Sequence, residues 1–122
     1  MKNIYSEILK AKSEKRKLLA ILLDPDKIIW EVMPDLISKI NQSPASHIFI
    51  GGSLVFSKKI DELIVKIKQH CNLPIVLFPG NPSQISNEAD GILFLSLISG
   101  RNPDYLIEHQ VKAVPILKKS NL

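Results

Sequence analysis

The sequence predicts a parallel α/β fold of the (β/α)8 TIM-barrel type, with about the first four βα units present. Three observations predict it. Four short apolar runs, at residues 18–23, 47–50, 74–78 and 91–97, are continuous rather than alternating, as in strands covered on both faces of a parallel sheet. Segments with helical spacing separate the runs. Finally, the glycine-, proline- and acid-bearing stretches fall directly after each run, where the loops of parallel α/β folds converge on one face.

The elements follow in order. A helix from residue 4 to about 15 precedes the first strand. Trp30, Met33, Leu36, Ile37 and Ile40 recur at three and four and predict the helix after that strand, and Ile60, Leu63, Ile64 and Ile67 predict the next. Asn81-Pro82 supplies an N-cap and a proline at the first helical position, so a short helical turn follows the third strand. Another short helical turn starts at Asn102-Pro103-Asp104 and carries Tyr105, Leu106 and Ile107. Strand–helix alternation implies parallel strands joined by right-handed crossovers. An open doubly wound sheet and a closed barrel both obey that rule. A barrel takes roughly 250 residues. These 122 residues hold four of eight units and end on "PILKKSNL", a helix tail where a fifth strand should enter. The expectation is therefore a single unit, residues 1–122, forming the N-terminal half of a barrel domain whose C-terminal half is absent.

Composition narrows the class. With 45% hydrophobic and 23% charged residues the balance is that of a globular domain, and no run approaches a membrane span. The N-terminus has no signal-peptide core, which points to the cytoplasm. The single Cys71 allows neither an intramolecular disulfide nor a cysteine metal site. Net charge is +4, concentrated in Lys10, Lys12, Lys15, Arg16 and Lys17, while only 6% of residues are aromatic. Nucleic-acid binding is not expected from that pattern; contact with anionic substrates or a peripheral membrane surface stays open.

Four strand-end loops carry the candidate chemistry. In "LLDPDK", Asp24 emerges straight from the strand into the mouth of the sheet, where a bare carboxylate needs a cation or a donor. Mg²⁺ fits, because it takes hard oxygens and usually one or two carboxylates plus substrate phosphates. Asp26 either caps the next helix or supports the site, and Lys27 is a phosphate contact or a solvated helix-start lysine. Gly51-Gly52-Ser53 either lets backbone and hydroxyl approach an anion or metal, or forms a tight capped turn. Pro79-Gly80-Asn81-Pro82 is a rigid loop suited to a substrate groove or to a plain turn. Arg101 is placed to pair with a phosphate or a carboxylate. The three histidines, His47, His70 and His109, form no metal-ligand spacing or triad, and no P-loop or G-x-G-x-x-G pattern is present.

Taken together, "LLDPDK", "IFIGGS", "PIVLFPGNPSQIS" and "ADGILFLSLISGRNPDYLI" resemble the geranylgeranylglyceryl phosphate synthase family, especially its longer-chain group in some bacteria and archaea. The resemblance runs from about Leu18 to the C-terminus. It implies a modified TIM barrel, a homo-oligomer at full length, and transfer of a prenyl group from geranylgeranyl or a related diphosphate to the 3-hydroxyl of sn-glycerol 1-phosphate in ether phospholipid synthesis. It also implies that Asp24 and Ser53 serve Mg²⁺, with Gly51, Gly52, Pro79, Gly80, Asn81 and Arg101 as candidate substrate-binding residues. The family's acceptor loops and acid/base candidates follow later strands that are not in this sequence, so its catalytic residues are not assigned here. Where shorter-chain relatives place a phosphate-binding lysine, this sequence has Leu22. A non-catalytic phosphate-binding half-barrel, or part of another phosphate-handling barrel enzyme, are the competing readings.

Overall fold

A computed structural model describes residues 3–52 and 59–122. Helix α1 (Ile4–Ser13) precedes strand β1 (Ala20–Leu23), and α2 (Met33–Gln42) leads into β2 (His47–Gly52). After α3 (Ile60–Lys68) come β3 (Ile75–Pro79), β4 (Gly91–Ile92) and α4 (Glu108–Leu117). The four strands are all parallel and lie in the order β1-β2-β3-β4, each beside its sequence neighbour. A doubly wound sheet reverses its strand order at a switch point; this sheet does not, and it follows the barrel alternative.

One sheet face makes the core. Ile48, Ile50, Ile75 and Leu77 are fully buried there with Leu23, under Met33, Ile37 and Ile40 of α2 and Ile60, Leu63, Ile64 and Ile67 of α3. Burying each such side chain contributes about 1.5–3 kcal/mol. Asp61 and Glu62 in the first turn of α3, and Lys66 and Lys68 in its last, complement the helix dipole. The opposite face was expected to be covered as well. It is only partly so: Phe49 and Phe78 stack at 6.2 Å between ring centroids, whereas Leu22 is half exposed. In a barrel that face looks into the interior and packs against the other strands of the ring.

Two strands are shorter than the apolar runs suggest. At the first, the Leu19 backbone is diverted to Ser46: its N–H donates to the Ser46 hydroxyl and its carbonyl accepts from the Ser46 N–H. At the fourth, the run 91–97 yields a strand of two residues plus one further bond, Leu93 N–H to the Leu77 carbonyl. β4 is an edge strand among the described residues; beyond it Phe94, Leu95 and Leu97 are exposed, and the backbone there bonds to Tyr105 and Gln110 rather than to a further strand.

The proline-led turns form as expected. Asn81 accepts from the Ser83 N–H ahead of a 3₁₀ turn (Pro82–Gln84), and Asn102 accepts from the Asp104 N–H ahead of another (Pro103–Tyr105). Asp26, by contrast, is not a helix cap. The chain enters α2 through a 3₁₀ turn (Trp30–Val32), and neither element has a side-chain cap. It is Asp24 that closes the local turn, accepting the Asp26 N–H at 3.0 Å.

Candidate functional site at the carboxyl ends of the strands

Parallel pairing puts the ends of β1, β2 and β3 on one rim, with Gly52 opposite Pro79 and Leu23 opposite Ile50. Asp24 is the first residue beyond β1. Its Oδ1 holds the Asp26 N–H, and its Oδ2 lies 3.4 Å from Lys27 Nζ, with a quarter of the side chain exposed. Lys27 itself is well exposed, so this ion pair is screened by water and weak. The carboxylate is thus aimed by an Asx turn while keeping lone pairs open to solvent.

The two glycines of the second loop differ in role. Gly51 has φ +145°, and a β-carbon there would meet the Phe78 carbonyl oxygen at 2.0 Å. It is buried between strands and serves their close approach. Gly52 instead lines a cavity of about 420 Å³. That cavity also takes in Pro79, Gly80 and Asn81, with apolar walls from Phe78, Leu93, Phe94 and Leu95. Ser53, the other residue assigned to metal, lies outside the described residues. Arg101 is exposed on the turn after Gly100 and does not line the cavity.

Four lining or supporting residues were not anticipated. Tyr105 and His109 close the far wall and meet edge-on at 5.1 Å. Gln110 donates to the carbonyls of Leu95 (2.7 Å) and Tyr105 (3.0 Å), tying the segment beyond β4 and the Pro103–Tyr105 turn to α4. Gln84 is the fourth, a fully buried amide that joins the second and third loops. Only its place at the end of a rigid proline–asparagine turn hinted at it, because a contact between residues 32 apart has no local signature.

A metal would find few protein ligands here. Among the described residues no group of three or more His, Cys, Asp or Glu side chains is disposed to hold an ion. That excludes a closed protein cage there, but it suits a Mg²⁺ that takes one carboxylate and completes its shell with substrate and water oxygens. Asp24 has the chemistry for that single contact.

An unreversed parallel sheet, helices over one face and a ligand-sized cavity at the carboxyl ends define half of a (β/α)8-barrel protein. The PcrB family profile matches residues 10–121, and the chain belongs to that family. A geranylgeranylglyceryl phosphate synthase of Flavobacterium johnsoniae is 66% identical over 98% of this chain and 49% of its own length. The synthase of Chitinophaga pinensis is 44% identical over 98% of this chain and 47% of its own. Among solved structures, (S)-3-O-geranylgeranylglyceryl phosphate synthase of Thermoplasma acidophilum, in complex with its substrate sn-glycerol 1-phosphate, superposes with a TM-score of 0.89 at 28% identity. That superposition covers the whole of this chain and 49% of the other. The chain therefore spans about half the length of the relatives it matches. No helix among the described residues is long and apolar enough to cross a membrane.

Proposed function

We propose that these four βα units form the prenyl-diphosphate half of a geranylgeranylglyceryl phosphate synthase site. The reaction transfers a geranylgeranyl or related group to the 3-hydroxyl of sn-glycerol 1-phosphate, in the cytoplasm and for ether phospholipid synthesis. The observation that carries this reading is the presence, on one rim of the sheet, of a carboxylate held by its own turn after β1 and of an apolar cavity walled by Phe78, Leu93 and Phe94 at the ends of β3 and β4. An amphiphile with a charged head and a hydrocarbon tail needs both. Family membership supplies the chemical identity.

The reaction forms a bond between the glycerol oxygen and the allylic carbon, breaks the bond from that carbon to diphosphate, and releases the hydroxyl proton. Mg²⁺, when bound, neutralises charge on the departing diphosphate. Asp24 is the residue that holds it, and Ser53 its proposed companion. Gly52, Pro79, Gly80 and Asn81 present backbone at the rim, where few side chains obstruct an incoming head group. The apolar wall takes the tail and keeps water from the allylic cation, and Tyr105 and His109 bound the space at its far side. Holding both reactants in register is the main contribution asked of the protein. Gly51 contributes through the backbone path it permits, and Arg101 as a solvent-side contact for the phosphate.

Calorimetry with inorganic pyrophosphate tests this reading. The chain should bind it only when Mg²⁺ is present, and Asp24→Ala should weaken binding at least tenfold. Equal binding by the two proteins would remove Asp24 from the metal site. Binding that ignores Mg²⁺ would favour a simple anion-binding module.

A further inference from the structure

We infer that Gln84 is the positioning residue that presets the diphosphate-binding rim, an inference that rests on the reading above. Its side chain is 1% exposed and spends both halves of its amide on backbone at the ends of two different strands. Oε1 accepts the Gly80 N–H at 3.1 Å, and Nε2 donates to the Gly52 carbonyl at 3.1 Å. Those are the two glycines that line the cavity beside Pro79 and Asn81.

The geometry explains why an amide is needed. One neighbour is a donor and the other an acceptor, so the residue between them must accept and donate at once. Glutamine does both without charge at every pH. The peptide between Pro79 and Gly80 is trans and planar, so turning the Gly80 N–H inward to Gln84 turns the Pro79 carbonyl the other way. Gln84 thereby sets the orientation of a peptide in the cavity wall without touching the ligand. The missing β-carbon at Gly51 is part of the same arrangement, since one built there would lie 3.3 Å from Gln84 Oε1. Asn81 completes it by capping the turn that carries Gln84. A purely structural buried amide would be expected to secure packing anywhere in the core. Among the described residues, the bonds of this side chain go to two glycines at the rim.

The test uses the 122-residue chain, Mg²⁺ and inorganic pyrophosphate. Gln84→Met keeps length and removes both bonds. Gln84→Leu, a second apolar residue of similar size, likewise removes both bonds. Both variants should bind pyrophosphate at least tenfold more weakly, with Mg²⁺ dependence retained and amide spectra unchanged outside the two loops. A measurement on the unaltered protein covers the case in which a variant does not fold. The Gly80 amide should exchange with solvent at least a hundredfold more slowly than a free peptide before any ligand is added, and pyrophosphate should leave that protection unchanged. Free exchange without ligand, or undiminished binding by folded Gln84→Met, would overturn the inference alone. Failure of the unaltered, Gly80-protected chain to bind pyrophosphate would overturn the functional reading and, with it, the role given to Gln84.

Discussion

A β-carbon on Gly51 would stand 2.0 Å from the Phe78 carbonyl oxygen, on a backbone whose φ is +145°. Backbone cannot swing aside as a side-chain tip can, and φ in that region is close to glycine-only. Gly51→Ala should therefore cost about 3 kcal/mol or more. Urea unfolding monitored by circular dichroism measures it. A loss under about 0.5 kcal/mol, the usual size for a neutral surface change, would contradict the strand packing described.

Asp24 offers a way to separate fold from site. Asparagine keeps the carbonyl oxygen that accepts the Asp26 N–H, so Asp24→Asn should change stability by no more than about 0.5 kcal/mol. It also removes the charge that a hard cation needs. Mg²⁺-dependent pyrophosphate binding should then fall at least tenfold while the melting temperature stays within about 3 °C. Joint loss of both would mean the carboxylate is structural.

Helix α1 ends with Lys15 at φ 55°, a left-handed conformation. The Arg16 N–H reaches the Ala11 carbonyl and the Lys15 N–H reaches that of Lys12, the bonding of a Schellman motif. Glycine is the residue that position favours, and Lys15→Gly should raise stability by about 1 kcal/mol. Unfolding in urea checks the sign; a loss would show that the lysine side chain compensates for its backbone.

His47 is nearly fully buried, and its tautomer follows from its neighbours. Ser46 Oγ lies 3.0 Å from the Leu19 carbonyl and 2.9 Å from His47 Nδ1; with the hydroxyl proton directed to that carbonyl, Nδ1–H is the donor to Oγ. Nε2 is then a bare acceptor, buried without a partner among the described residues. A two-bond ¹H–¹⁵N correlation spectrum of the neutral ring should show the proton on Nδ1. A proton on Nε2 would refute the assignment.

At the start of α4 two acids titrate in opposite directions. A hydrogen bond with Glu108 raises the Asp104 carboxyl above its ordinary range, while the same bond and Lys112, 2.6 Å from Glu108, lower Glu108. Glu108 therefore contributes stability present above its unfolded value and lost as pH falls through its folded one. Asp104 contributes in the other sense, present below its unfolded value and lost as pH rises through its folded one. Carbon-detected titration should find Asp104 above its ordinary value and Glu108 below its own, and Lys112→Ala should move Glu108 upward. An unchanged Glu108 would mean the ion pair is not formed in solution.

Much of the fold was legible because its determinants are local. The spacing of Ile60, Leu63, Ile64 and Ile67 marks a buried helix face whatever surrounds it, and all four are buried. Asn81-Pro82 and Asn102-Pro103 announce their turns because cap and fixed φ are properties of the dipeptide itself. Strand ends were less legible. The run at 91–97 is apolar throughout, yet a strand extends only where a neighbour accepts its hydrogen bonds, and that partner is not encoded in the run.

The sequence by itself determined the parallel βα alternation, the rim on which polar loops gather and the carboxylate that leaves the first strand. These depend on periodicity and on residues adjacent in the chain. Only the tertiary structure decided that the strands lie in unreversed order, that Gly51 faces β3 while Gly52 faces the cavity, and that Asp24 rather than Asp26 closes its turn. It alone brought Gln84 between Gly52 and Gly80. Each of those outcomes depends on which atoms meet across strands far apart in sequence, and one peptide's orientation there decides which face of a glycine a ligand can reach.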